Sequence, residues 1–202
     1  MADKKQFSSS SNPAWPQSRP DDSIVRSIHY TVPLIPQTSV MGCWAAGIAM
    51  ILAWRNHTLI NPEMIAKNPG SVPYLTELQS GLDPNDTLLL QRWGFVVRRP
   101  QSYTVTSFTQ LLKEFGPLWV AARLPRIPAH IRVVTGIDFD QNPDLAKIYI
   151  NDPWEVGMRA FRWPNRGSRY TRTFRQFTTE VEKLAVAEKN QPAPIYIAHL
   201  PK

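Results

Sequence analysis

Gln37-Thr38-Ser39-Val40-Met41-Gly42-Cys43-Trp44 is the stretch that decides the fold, because an apolar run, residues 45–54, follows it directly. An apolar run of this length predicts a buried helix that ends near Arg55. Cys43 then lies in the first helical turn, where free N–H groups and the positive end of the helix dipole stabilise a thiolate. Since the thiolate is the reactive form of cysteine, Cys43 is a candidate nucleophile. A lone cysteine is otherwise more often a buried structural residue.

The chain has 202 residues, a length that fits one domain, alone or with a tail. Cys43 is its only cysteine, so no internal disulfide can form. That suits a reducing compartment, or a secreted protein that does without bridges. No stretch approaches the roughly 18 apolar residues of a membrane span. The N-terminus has lysines but no apolar core behind them, so we expect export, if it occurs, to use a specialised secretion system.

The chain divides into a tail and one folded domain. Residues 1–25 are rich in serine, proline and charge, a composition that cannot bury enough apolar surface to order itself. We predict a disordered or targeting tail there. Residues 26–202 are predicted to form a single domain.

The order of predicted elements indicates an α+β architecture, with helices first and an antiparallel sheet afterwards. Prolines keep residues 29–36 extended ahead of the Cys43 helix. Caps and glycine stops predict further helices, and β-branched runs between turn residues predict strands. The predicted helices are 43–55, 61–66, 86–93, 107–115 and 174–186, and the predicted strands are 117–123, 130–138, 146–152 and 194–198.

A thiol nucleophile needs a base, usually histidine, and the chain has four. His130 stands out because it opens a predicted strand, where its ring can face a helix N-terminus across a cleft. His29 precedes the Cys43 helix in an extended segment. His57 follows that helix at the end away from the thiol, and His199 lies near the C-terminus.

Two further polar positions complete the candidate site. The strand after the one that His130 opens ends in Asn151-Asp152-Pro153. If the two strands are antiparallel neighbours, Asp152 or Asn151 reaches the His130 ring and orients it. Gln37 lies six residues before Cys43, and its amide can donate to an oxyanion beside the backbone N–H of Cys43. Taken singly, an Asp-Pro turn and a loop glutamine are common.

The formal net charge is +7, and arginines concentrate between residues 159 and 175. One interpretation is an acidic partner such as nucleic acid, a membrane surface or an acidic protein. The other is a solvated basic face. No zinc-ligand spacing, phosphate loop or RNA-binding signature accompanies the arginines, which weighs against nucleic acid.

Together these motifs resemble the papain-like cysteine proteases, in particular the compact bacterial branch of avirulence-type effector proteases and double-glycine leader peptidases. The resemblance covers about residues 30–155 and is sharpest at Val32-Pro33-Leu34-Ile35-Pro36-Gln37 and Met41-Gly42-Cys43-Trp44. It implies a papain-like fold, with the nucleophile helix of an N-terminal helical half packed on a C-terminal antiparallel sheet. It also implies Cys43 as nucleophile, His130 as base, Asp152 as orienter and Gln37 as oxyanion donor.

Three features depart from papain. Val40 stands where papain's signature has a second cysteine, and Ala129 stands where glycine often precedes the histidine. The histidine follows the cysteine by 87 residues, short of the roughly 130–150 of papain. Full papain specificity therefore cannot be carried over.

The resemblance implies peptide-bond hydrolysis without a metal or organic cofactor. We expect a bacterial effector or toxin that cleaves a protein in a target cell, with an immunity protein or an activating host factor as partner; the sequence identifies neither. Two alternatives stay open. In one, the same triad deamidates or transglutaminates glutamine side chains. In the other, the arginine-rich region belongs to a nucleic-acid-binding module without catalysis, whose binding would weaken steeply with salt and would survive loss of Cys43.

Overall fold

The structure is a computed structural model that describes residues 27–67, 87–124, 127–155, 157, 162–187 and 196–202. The predicted tail, residues 1–25, lies outside the described residues. None of the described helices combines the length and apolarity that a membrane span requires.

Most of the described helices come before the main run of strands, and the α+β prediction is confirmed. In chain order they are β1 (Ser27–His29), α1 (Cys43–Asn56), α2 (Pro62–Ala66), α3 (Thr87–Arg92), β2 (Val96–Val97), α4 (Val105–Phe115), β3 (Leu118–Leu124), β4 (Ile127–Asp138), β5 (Lys147–Asp152), β6 (Ser168–Thr173), α5 (Phe174–Ala187) and β7 (Ile197–His199).

The described strands form one sheet in the order β2-β7-β3-β4-β5-β6, and β1 pairs with the far end of β4. Every pairing is antiparallel. β4 lies between β3 and β5, and its residues 130–137 are buried, an environment that suits its β-branched side chains. This order sets β4 and β5 side by side, as the prediction for His130 and Asp152 requires, and places β6 on the other side of β5.

Most predicted helices begin and end within two residues of the observed ones. Asn61 caps α2 as predicted, its side chain accepting from the Glu63 N–H at 2.9 Å. α4 begins at Val105 and not at Ser107, because Thr104 and Ser107 form a capping box that uses the β-branched residues between them as the first turn. The prediction missed β6, where alternating arginine and threonine were assigned only to the basic region.

The Cys43 helix, α1, packs directly against β3 and β4. Its start is fixed to the sheet by Trp119, whose indole N–H donates to the Trp44 carbonyl at 3.3 Å. Its middle approaches closely at Gly47, where a Cβ would lie 2.9 Å from the Trp119 ring and 3.0 Å from Ile131. Glycine at this position therefore sets the distance between the cysteine helix and the sheet.

Gly47→Ala tests this close approach. Alanine is the better helix former by about 1 kcal/mol, so the variant would be more stable if space were free. Because the added methyl overlaps Trp119, we expect a loss of about 1–3 kcal/mol instead. Urea unfolding of both proteins measures the difference, and an increase in stability would contradict the packing.

Candidate active site

Cys43 is the first residue of α1 and is partly exposed. Gly42 occupies the N-cap position, and no side chain caps the helix there. The first-turn N–H groups beside the sulfur are therefore not satisfied by a capping side chain. This is the arrangement that favours negative charge at a helix start.

His130 and Asp152 meet in the interior, as predicted. The ring Nε2 lies 2.6 Å from Asp152 Oδ1, and each residue is 3% exposed. The strand register explains the contact, because Val134 on β4 pairs with Ile150 on β5. Side chains two residues apart share a face, so this register puts His130 and Asp152 on the same side of the sheet.

Asn151, the open alternative to Asp152, does not reach the ring. Its side-chain N–H donates to the Val32 carbonyl at 3.1 Å. Neighbouring residues of a strand point to opposite faces, which separates Asn151 from Asp152. Asn151 instead ties β5 to the extended segment that leads to Cys43.

Cys43 lies close enough to the His130 ring for its side chain to raise the pKa of the ring. Since Nε2 is engaged by Asp152, Nδ1 is the ring nitrogen left for the sulfur. Burial alone disfavours the charged ring, but the interactions with Asp152 and Cys43 outweigh it and raise the pKa of His130 to about 9. Burial also opposes the charge on Asp152, and the hydrogen bond from His130 holds the pKa of that carboxyl below its usual value. The ring is therefore cationic at neutral pH, between a carboxylate and the sulfur.

Gln37 is buried beside the loop that leads into α1. Its amide Nε2 donates to the carbonyls of Ser39 at 2.7 Å and Val40 at 2.9 Å. Its Oε1 has no hydrogen-bond partner among the described residues. Both amide hydrogens therefore point at the loop carbonyls. To donate to an oxyanion, the Gln37 amide would have to break one of these hydrogen bonds or share its hydrogen between the carbonyl and the oxyanion.

The three remaining histidines lie elsewhere. His29 on β1 pairs with Asp138 at 2.9 Å. His57 is exposed and ends α1 in the left-handed conformation, with φ 53°. His199 is buried on β7, where its Nδ1 donates to the Leu200 carbonyl at 2.9 Å and its ring stacks on Phe115.

The arginine-rich region is partly built into the fold. Arg172 stacks on the Tyr170 ring at 4.6 Å and donates to Glu180, while Arg175 pairs with Asp144. A groove of about 590 Å³ runs beside them, and its lining residues are Arg123, Arg172, Arg175, Gln176, Thr179, Glu180 and Lys183. Arg159 lies outside the described residues. Among the residues that the structure describes, no group of three His, Cys, Asp or Glu side chains could hold a metal ion.

Residues 26–182 match the family model described as papain-like cysteine protease AvrRpt2. The chain belongs to this family of papain-like cysteine proteases. It is therefore a hydrolase of the cysteine protease class, and the resemblance drawn from its motifs is confirmed. The catalytic roles of Cys43, His130, Asp152 and Gln37 remain a prediction.

Among solved structures, the protease is similar to a double glycine motif protease from an AMS/PCAT transporter, crystallised with its leader peptide. The two share 18% sequence identity with a TM-score of 0.47, over 87% of this chain and 95% of that one. No curated protein matches the chain.

Sequence reasoning missed three residues that support the candidate site of the protease. Asn165 donates to the carbonyls of Gln37 at 3.1 Å and Pro153 at 2.7 Å, which joins the loop before Cys43 to the end of β5. Tyr170 and Arg132 lie behind Asp152. The alternation of β-formers in 168–173 was the signal that would have placed Tyr170 on a strand.

The raised pKa of His130 predicts a pH dependence of stability. The folded ring keeps its proton up to about pH 9, whereas the unfolded ring loses it near its ordinary value. This contribution, about 3 kcal/mol for such a shift, is complete below the ordinary value and lost as the pH rises through about 9. Asp152 also stabilises the folded protein, but with the opposite pH dependence. Its contribution is lost as the pH falls through its lowered pKa.

NMR titration of the His130 ring measures this directly. We expect Asp152→Asn to lower the pKa of His130 and to flatten the loss of stability at alkaline pH. Asp138→Asn, which removes the exposed partner of His29, is the matched control and should leave the His130 titration unchanged. A His130 ring that titrates at its ordinary value in the unaltered protein would refute the buried ion pair.

Proposed function

We propose that this protein is an endopeptidase in which Cys43 is the nucleophile, His130 the acid and base, and Asp152 the orienter. The observation that carries the proposal is the position of the buried His130 ring, with Asp152 Oδ1 at 2.6 Å from one nitrogen and the Cys43 side chain close enough to raise the pKa of the ring. Nucleophile, base and orienter in this order are the minimum that thiol acyl transfer needs. Family membership supports a peptide bond as the target.

The reaction follows from this order of groups. The Cys43 thiolate attacks the peptide carbonyl carbon, and the negative charge moves to the carbonyl oxygen. The backbone N–H of Cys43 and one Gln37 amide hydrogen stabilise that oxyanion. When the C–N bond breaks, the His130 imidazolium gives its proton to the departing amine, and the acyl part of the substrate stays bound to Cys43 as a thioester. Neutral His130 then takes a proton from water, whose oxygen attacks the thioester and returns the thiolate.

We place this activity in a target cell. The resemblance to avirulence-type effector proteases supports a bacterial effector or toxin that a specialised system exports and that acts in the cytoplasm of its target. We propose an immunity protein in the producer or an activating factor in the target as its partner. The positive net charge suits an acidic substrate or partner.

Mass spectrometry of peptide termini tests the proposal. A target-cell lysate is incubated with the unaltered protein, with Cys43→Ala and with His57→Ala. We expect new termini with the unaltered protein and with His57→Ala, whose exposed histidine lies at the far end of α1, and none with Cys43→Ala. Because deletion of one sulfur costs little packing, circular dichroism should show that Cys43→Ala is folded.

Other outcomes assign other functions. One such outcome is a lysate with no new termini but a Cys43-dependent change of glutamine. Conversion of glutamine to glutamate would then identify a deamidase, and glutamine cross-links would identify a transglutaminase. Nucleic-acid binding that weakens steeply with salt and survives loss of Cys43, with no Cys43-dependent product in the lysate, would refute the proposed endopeptidase activity and favour a binding module.

A further inference from the structure

We propose that Tyr170 and Arg132 are positioning residues that hold the Asp152 carboxylate with Oδ1 toward His130. This inference rests on the proposed function, since it adds a support to the same catalytic pair. Among the described residues no hydrogen bond joins either residue to the sulfur or to the ring, so both would act through Asp152.

The Asp152 carboxylate is held at both oxygens. Oδ1 accepts from His130 at 2.6 Å and from the Trp154 backbone N–H at 2.8 Å. Oδ2 accepts from the Tyr170 hydroxyl at 2.9 Å. A carboxylate bound only at Oδ1 can turn about its Cβ–Cγ bond, whereas the bond from Tyr170 opposes that rotation. Tyr170 is well placed because it pairs with Ile150, two residues before Asp152.

Arg132 fixes the direction of the Tyr170 proton. Its Nη1 lies 3.1 Å from the hydroxyl oxygen. Guanidinium nitrogens only donate, so the tyrosine oxygen accepts from Arg132 and its single hydrogen points to Asp152 Oδ2. Replacing Arg132 by a residue without a donor would free the hydroxyl to turn.

Arg132 is itself held in the interior. It is 1% exposed, and Nη1 also donates to Glu180 Oε2 at 2.7 Å. Its Nε and Nη2 have no hydrogen-bond partner among the described residues. A buried guanidinium with two unpartnered nitrogens is costly for stability. This cost indicates that Arg132 is there to orient Tyr170 and not to stabilise the fold.

Charges alternate along the resulting line of side chains. Glu180 is negative, Arg132 positive, Asp152 negative and His130 positive, with neutral Tyr170 between Arg132 and Asp152. His130, Asp152 and Arg132 are buried, so water screens the attractions among them little, whereas Glu180 is partly exposed. We call Glu180, Arg132 and Tyr170 the support relay of Asp152.

Tyr170→Phe removes the hydroxyl but keeps the ring on which Arg172 stacks. We expect two changes, measured without a substrate. The pKa of His130 should fall toward its ordinary value in NMR titration. Alkylation of Cys43 by iodoacetamide at neutral pH should slow by up to about 10-fold for each unit of that fall, because proton transfer from the thiol to the ring becomes about ten times less favourable. Circular dichroism checks that the variant is folded.

Tyr149→Phe is the matched control. Tyr149 likewise donates its hydroxyl to an aspartate, Asp138 Oδ2 at 2.6 Å, but in the part of the sheet that holds His29. We expect this control to leave both readouts unchanged. A second variant, Glu180→Gln, keeps an oxygen acceptor for Arg132 without the charge and should shift both readouts in the same direction by a smaller amount.

A double-variant cycle decides whether the relay acts through Asp152. In the Asp152→Asn background, Tyr170→Phe should have no further effect on either readout. An equal effect in both backgrounds, or a His130 pKa that stays or rises in Tyr170→Phe, would overturn the positioning role.

His130→Ala separates failure of the relay from failure of the proposed function. If His130→Ala slows alkylation of Cys43 and Tyr170→Phe does not, the relay is wrong and the catalytic pair stands. If His130→Ala has no effect on alkylation, the base role in the proposed function fails. The His130 titration then still tests the relay, because it needs no reaction at the sulfur.

Discussion

The hydrogen bond between His130 and Asp152 is the constraint on which the site depends. The two buried groups lie 2.6 Å apart and are stable in their ionised forms only as a pair. Either one alone would be a buried charge with neither water nor an opposite charge to stabilise it. The pair keeps the ring cationic at neutral pH and fixes which nitrogen remains for Cys43. A cationic ring beside a helix N-terminus gives the sulfur two sources of stabilisation for negative charge, the ring and the helix dipole.

The fold supplies this contact through register and close packing. Antiparallel pairing of β4 and β5 brings the end of one strand beside the first half of the other, which is where the aspartate and the histidine lie. Gly47 lets α1 approach the sheet, and Trp119 holds the start of that helix. Asn165 joins the segment of Gln37 to the end of β5, so that the loop before Cys43 and the strand that carries Asp152 form one unit.

Much of this arrangement was predictable from the sequence because its signals are local. An apolar run after a cysteine, a cap at Asn61 and β-branched runs each specify an element without reference to the rest of the chain. The association of Cys43, His130 and Asp152 was predictable because His130 lies in the first half of one strand and Asp152 ends the neighbouring strand. The predicted start of that first strand was wrong, since β4 begins at Ile127 and not at His130.

The support behind Asp152 was not predictable in the same way. An arginine in a strand is ordinarily expected to be exposed. The partners of buried Arg132, Tyr170 and Glu180, lie 38 and 48 residues later in the chain. Tyr170 lies in a strand whose arginines resemble a solvated region. The two hydrogen bonds from the Gln37 side-chain amide to nearby carbonyls depend on the path of the loop. The sequence of residues 37–42 has no pattern that predicts this path.

An ultraviolet difference spectrum of the folded protein against Cys43→Ser, recorded at neutral pH, tests the central claim most directly. Thiolate absorbs where thiol and hydroxyl do not, so the difference reports the ionised sulfur alone. The His130–Asp152 pair predicts a thiolate band that is lost when His130 is replaced by alanine. A folded protein without that band, or a band that persists without His130, would contradict the account.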